Sequence, residues 1–292
     1  MMRVSSAGEP ARIEIIGVTG ERFVVSGQGM GEQGVELSKS PEGIHDEAPI
    51  KTIWQQSAFQ EGATYIDYTI EPLDLVLAFD IVGDEDNWED IEARFYACFD
   101  PERPATIVIS TQTESRSLKV TKLEQSKTTA ERDPRILGWS KITFTLRAAW
   151  PFWEGKTIVK NVAIDTAGLA YVEISNPTDR PLWPQWALTA PGRWTLPDFS
   201  FADDQNATRT VTTPTLAEGQ DLTIDTYPLR ESYVAADGSN IAGRFGGIEF
   251  QFPIPPHTPT TRLPIKLEAG AAQSGAQLRL TQFWQRPWGG RR

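Results

Sequence analysis

A thiol nucleophile with an imidazole base, or a zinc site, would have to be assembled here from Cys98, His45 and His257, because the chain has no other cysteine or histidine. Nucleophilic catalysis needs the base within hydrogen-bond reach of the nucleophile. Structural zinc takes four ligands, mostly from these two residue types. Cys98 falls at helical spacing with Trp88, Ile91 and Phe95, so it reads as a core thiol on an apolar helix face. His257 stands among prolines in "PIPPHTPTT", and His45 has acidic neighbours in "SPEGIHDEAP"; both read as loop residues. No G-x-S-x-G elbow is present, a lone cysteine excludes an intrachain disulfide, and no EF-hand pattern occurs.

Three other chemistries have raw material. The 39 acidic residues offer many carboxylate pairs for glycoside cleavage, but that reaction depends on a separation in space, which spacing in sequence does not give. "GERFVVSGQGMGEQG" is glycine-rich yet lacks the Lys-Ser/Thr of a phosphate-binding loop and its strand-to-helix setting, and it reads as a turn. Ten tryptophans could stack on sugar rings, and Trp183, Trp186, Trp194, Trp284 and Trp288 all fall in the second half; the same residues also fill cores and protein interfaces. No cofactor and no catalytic residue is expected.

Such side chains would have to be positioned by a chain of 292 residues, long enough for two domains with cores of their own. It is 39% hydrophobic and 23% charged, a globular composition. A net charge of −11 argues against sequence-specific nucleic-acid binding, which needs clustered Lys and Arg. No run approaches the roughly 18 apolar residues of a membrane span, and Met1 to Pro10 has no apolar segment of the secretory kind.

The first half reads as strands around one helix. Ile66, Tyr68 and Ile70 alternate with polar residues, and after Glu71-Pro72 the residues Leu73, Leu75, Leu77 and Phe79 do so again. "DEDNWEDIEARFYACF" then changes to a helical period at about 87–99, with Asp86 or Asn87 as the cap. "ATIVIS" and "RSLKVTKLE" are strands. The longest alternation sets Ile142, Phe144, Leu146 and Ala148 on one face. At "AAWPFWEGK" the composition shifts: 14 of the 21 prolines lie from Pro151 onward. We place the domain boundary there, giving 1–152 as a β domain with one helix and 153–292 as a β-sandwich. In the second half Val172 and Ile174, Leu222 and Ile224, Ile248 to Phe252, Leu263 to Leu267, and Leu278 with Leu280 read as strands, and "RPWGGRR" as a mobile tail.

"IDTYPLRESYVAADGSN", residues 224–240, reads as a hairpin or corner of that sandwich. Pro228 ends its first strand, Ser232 to Ala235 form the second, and Asp237-Gly238 supplies a positive φ. Arg230 has two carboxylates within reach along the chain, Asp225 and Asp237.

This stretch, with "AAWPFWEGK" and "VEISNPTDRPLWPQWALTAPG", resembles in order and spacing the siphovirus distal tail proteins, including minor tail proteins of phages infecting actinobacteria. The resemblance is clearest from Ala148 to about Phe252, at Asn176, Pro177, Asp179, Pro184, Trp186, Pro191, Gly192, Asp225, Thr226, Arg230, Asp237 and Gly238. Thr178 departs from it, standing where a glycine often follows Asn-Pro. The resemblance implies a mainly β, non-enzymatic virion protein: an N-terminal β-barrel or sheet domain closing into a six-fold ring, and a C-terminal galectin-like sandwich. It implies a place at the distal end of a phage tail after synthesis in the host cytoplasm. The partners would be the tail tube protein above and tail-tip, baseplate or fibre proteins below. DNA would pass through the channel without sequence-specific contact, and no membrane insertion is implied. The alternative is a carbohydrate-binding module for a host surface glycan.

Overall fold

The structure, a computed structural model, describes residues 9–84, 86–271 and 274–289. The chain divides into two compact units, Met1–Gly155 with Gln285–Gly289, and Lys156–Trp284 with Gly290–Arg292.

In the first unit the strands are β1 (Arg12–Ile16), β2 (Arg22–Ser26), β3 (Val35–Leu37), β4 (Ile50–Gln55), β5 (Thr64–Ile70) and β6 (Leu73–Val82). Helix α1 (Trp88–Tyr96) follows, then β7 (Ala105–Ser110), β8 (Ser115–Lys122) and β9 (Lys127–Thr129). Helix α2 (Pro134–Leu137) and β10 (Trp139–Ala148) complete it. The two long alternations pair with each other: β6 and β10 are antiparallel over their whole length, from Trp139 opposite Val82 to Ala148 opposite Leu73. Every second residue of each is buried, as a sheet with one covered face requires. From β10 the antiparallel path runs through β8 and β7 to β1 and β2, and on its other side through β6 to β3. On the outward face Arg147 grips Asp74 with two hydrogen bonds of 2.6 and 2.7 Å. This bond to Arg147 lowers the Asp74 pKa.

Helix α1 covers the buried face with aromatic side chains. Phe95 meets Phe79 edge-on at 4.8 Å between ring centres, Phe23 at 5.1 Å and Phe144 at 6.0 Å. Its start differs from expectation: Asn87 holds the cap position but its side chain bonds no helix N–H, and its Oδ1 accepts from Asp84 N. Asp84 is the residue that ties the turn, its carboxylate accepting from the N–H groups of Asp86 and Asn87. The helix ends at Tyr96, earlier than expected, with Cys98 and Phe99 still buried in the turn beyond it. A second helix also exists. Asp133 caps α2 by accepting from Arg135 N, Pro134 occupies its first turn, and Gly138 closes it at φ 60°.

Ile66, Tyr68 and Ile70 lie on a strand as expected, but Ile66 and Tyr68 are exposed. Among the described residues β5 pairs only with β4, as a two-stranded sheet of its own, and all but Ile70 of the thirteen residues in the two strands are exposed.

The second unit is a two-layer sandwich. β11 (Trp153–Ala163) leads into it, followed by β12 (Leu169–Asn176), β13 (Gln185–Leu188), β14 (Arg193–Pro197), β15 (Thr210–Thr212) and β16 (Leu222–Asp225). β17 (Tyr233–Ala235), β18 (Thr258–Glu268) and β19 (Gly275–Trp284) complete it. One layer is ordered β17-β16-β13-β19-β11, the other β12-β18-β14-β15. Trp186, Ile224 and Leu278 from the first layer and Val172, Trp194 and Ile265 from the second enter one shared core. Residues 248–252, expected as a strand, form none. Pro253, Pro255 and Pro256 remove ladder donors beside this segment, and Asp198 takes its N–H groups instead, accepting from Gln251 and Phe252.

Candidate functional site

The residues that carry the resemblance gather into three polar knots of the sandwich. In the first, β12 ends on Asn176, which is fully buried. Its amide donates to the carbonyls of Arg180 (2.8 Å), Ile254 (3.1 Å) and Pro255 (2.8 Å). Its Oδ1 accepts from Thr178 N and from Thr178 Oγ1. A buried polar group is tolerable only when its bonds are made, and this one makes them to loop backbone and to the Thr178 hydroxyl. Pro177 and Asp179 are half-buried in the loop it folds. Thr178 does work that a glycine could not, since its hydroxyl also donates to the Arg180 carbonyl.

The second knot joins β13 to β16. Asp225 accepts from Gln185 Nε2 at 2.8 Å, Tyr227 N at 3.0 Å and Arg230 Nη1 at 3.2 Å. Thr226 donates through both its hydroxyl and its N–H to the Pro184 carbonyl. One register away Trp186 lies opposite Ile224 with its ring in the core. Residues 222–225 and 233–235 pair as an antiparallel hairpin, Ile224 opposite Tyr233, and Arg230 takes Asp225 of its two possible partners.

The third knot surrounds Pro191, which follows a cis peptide bond, and Gly192. Gly192 exchanges backbone hydrogen bonds with Leu216, and at φ 142° a Cβ there would sit 2.5 Å from a Leu267 methyl. Gln220 ties the neighbouring turn by donating to Asp237 Oδ2. Ser239 donates to the same carboxylate and is the main cause of its lowered pKa. Gly238 is at φ 72°, the conformation the Asp-Gly pair was expected to supply. The side-chain bonds of the three knots tie turns, Trp186 fills the core, and none of the knots presents a nucleophile beside a base.

The remaining candidates are dispersed. Cys98 is buried, and burial pushes its thiol up to about 12, the opposite of activation. His45 packs against Trp288 at 4.8 Å, while His257 donates its backbone N–H to Thr178. Among the described residues no group of three or more His, Cys, Asp or Glu could hold a metal ion. Nor is any helix there long and apolar enough to cross a membrane. Trp186, Trp194 and Trp284 are buried in the second unit, and Trp183 is half-buried with its ring edge-on to Tyr227.

Two features of the structure were not expected from the sequence. One is Arg116, 1% exposed, which holds residues 285–289 against the first unit. Its signal was its place in "RSLKV", on the same face as Leu118 and Val120. Residues 286–289, expected as part of a mobile tail, are therefore held, with Gln285, as a bound strap; 290–292 lie outside the described residues. The other is the β4–β5 hairpin, which carries seven exposed large hydrophobic side chains along its strands and at its tip.

No protein-family model matches the chain. It is similar to minor tail protein Gp27 of Mycobacterium phage L5, 25% identical with 95% of this chain and 98% of the relative covered. Minor tail protein Gp27 of Mycobacterium phage D29 is similar to the same degree over the same shares. Among solved structures, Dit (gp 19.1) of phage SPP1, described as a paradigm of the hub adsorption apparatus in phages infecting Gram-positive hosts, superposes with a TM-score of 0.64. It is 12% identical, with 94% of this chain and 98% of that one covered. A chain of the phage P2 baseplate in its activated, calcium-containing conformation gives 0.52 at 11% identity over the same shares. The chain is thus similar to phage minor tail proteins over nearly its whole length, and its fold is similar to that of SPP1 Dit.

Proposed function

We propose that this chain is a structural protein of the phage virion, a tail-tip hub whose copies close into a six-fold ring between the tail tube and the tail-tip or baseplate proteins. The observation that carries this reading is similarity to minor tail proteins over nearly the whole length of both chains, rather than over one module. The named side chains agree with it, since a hub needs rigid turns and large interfaces instead of a reactive cleft. Head-to-tail closure would also remove exposed strand edges at once. The charge of −11 suits a ring that DNA must cross without sticking, because bound phosphates would have to be released during ejection.

A glycan-reading module is the competing role, and it finds less support. Sugar stacking wants exposed aromatic faces, whereas three of the four tryptophans in the second unit are buried and the fourth leans on Tyr227. Localisation separates a hub from a soluble accessory. Gold-labelled antibodies raised against this chain are expected to mark the distal end of intact phage tails as a single site. Label spread along the tube, or absent from virions, would contradict the assignment.

A further inference from the structure

We propose that the first unit carries a peptide-binding seat, built around Arg116, which the chain fills with its own residues 286–289 as the last step of its folding. A chain that has not been made to its end would hold this seat open.

The seat is assembled from residues that come early in the chain. β7 and β8 pair as a hairpin from Ser110 opposite Ser115 to Ala105 opposite Val120, and this register sets Arg116 opposite Ile109 on the inward face. Glu114 belongs to the turn of that hairpin: its N–H donates to the Thr111 hydroxyl, and its carbonyl accepts from Thr111 N. His45 stands on a loop that Glu42 pins to β6 by exchanging backbone hydrogen bonds with Val76. Ile44, beside it, is wholly buried. None of these ties involves residues 286–289, so the seat has its shape before the strap arrives.

The strap contributes what a bound peptide would. Arg116 donates through Nη1 to the Arg286 carbonyl at 2.6 Å and through Nη2 to the Gly289 carbonyl at 2.7 Å. Glu114 Oε2 accepts from the same guanidinium, while its Oε1 accepts from Gly289 N at 3.3 Å. Main-chain groups at both ends of the segment are thus read by one ion pair, whose planar fork fixes the directions of its donors. The side chains between them add selectivity. Pro287 is buried, and Trp288 packs its ring against His45 at 4.8 Å between ring centres. Gly289 then turns the chain at φ 74°, where a glycine is favoured.

The order of events follows from distance along the chain. Arg116 lies 170 residues before Arg286 and 173 before Gly289. At the usual speed of synthesis the seat is complete roughly 10–30 s before its occupant has been made. Contacts of such separation also form late when a whole chain refolds, because the closure of the intervening loop opposes them until they are made. The filled seat therefore marks a finished chain.

The test uses full-length protein in which the strap loses its side chains and the seat is untouched, Pro287→Ala together with Trp288→Ala. The probe is the pentapeptide Gln-Arg-Pro-Trp-Gly, amidated at its C-terminus and labelled with fluorescein at its N-terminus, followed by anisotropy. The variant is expected to bind it saturably. The wild type should bind at least tenfold more weakly, because its tethered strap competes at an effective concentration on the order of mM. Adding Arg116→Met to the variant should abolish binding. Adding His45→Ala, at an exposed side chain, should weaken it several-fold and serves as the control if the methionine chain does not fold. Equal binding to the variant and the wild type, binding that survives both seat substitutions, or no binding at all overturns the seat. Pulsed amide labelling of refolding wild type reads the order separately: β6 and β10 should gain protection in an early phase and Gly289 in a later one. Protection of Gly289 in the same phase as those strands overturns its place as the last step.

Discussion

Replacing Arg116 with methionine is expected to cost the first unit about 3–5 kcal/mol, the usual loss when one partner of a buried ion pair is removed. Arg116 sits on the inward face of β8 and donates to Glu114 at 2.8 Å, to the Arg286 carbonyl at 2.6 Å and to the Gly289 carbonyl at 2.7 Å. Glu114 completes the loop by accepting from Gly289 N at 3.3 Å. Methionine fills the volume but leaves a carboxylate that is almost buried, and two carbonyls, without their donor. Lysine should restore little, because three acceptors in different directions suit the planar guanidinium fork and not a single ammonium. Two readouts check this: the denaturation midpoint of the first unit, and amide exchange at residues 285–289, which should become fast when the strap is released. A loss under about 1 kcal/mol, typical of an exposed ion pair, together with unchanged exchange, would contradict it.

Asn176→Ala is expected to destabilise the sandwich by roughly 3 kcal/mol, since each buried polar group left without a partner costs about 1–3 kcal/mol. Three carbonyls and the Thr178 hydroxyl lose their counterpart together. Asn176→Asp is the sharper variant. It keeps the shape and the acceptor for Thr178 but turns an oxygen toward three carbonyl oxygens, so it should be at least as damaging as alanine. Calorimetry on each variant should show the transition of the second unit lowered and that of the first unmoved, because the two mutated environments share no partner. An aspartate variant with wild-type stability would show that the amide is not what folds this loop.

How much of this could be read beforehand depended on how far along the chain each partner lay. The alternation through Ile142, Phe144, Leu146 and Ala148 is local, and it became the central strand of the first unit. Asp225 and Arg230 are five residues apart, so their pairing was one of two visible choices. The carbonyls that Asn176 holds at Ile254 and Pro255 lie 78 and 79 residues away, and the Arg286 carbonyl lies 170 residues from Arg116; no local pattern encodes such distances. Some signals were present and unread. Asp133-Pro134 with Gly138 is a start and a stop set around a single turn of helix. Others were ambiguous in principle. Ile248, Phe250 and Phe252 alternate as a strand does, yet the neighbouring prolines and Asp198 give the backbone a different set of partners. Ile66 and Tyr68 alternate as well, and alternation cannot say whether the face that receives them belongs to the same chain.

That question leads to the measurement that bears most directly on the assembly. Purified full-length protein, concentrated and imaged by electron microscopy with two-dimensional class averaging, should give six-fold rings with an open centre and outward lobes. A density map of the ring should place acidic side chains along the lumen. Monodisperse single chains that stay unassembled in the presence of their tail tube protein would contradict the hub, and a ring with a basic lumen would contradict the passage of DNA as described.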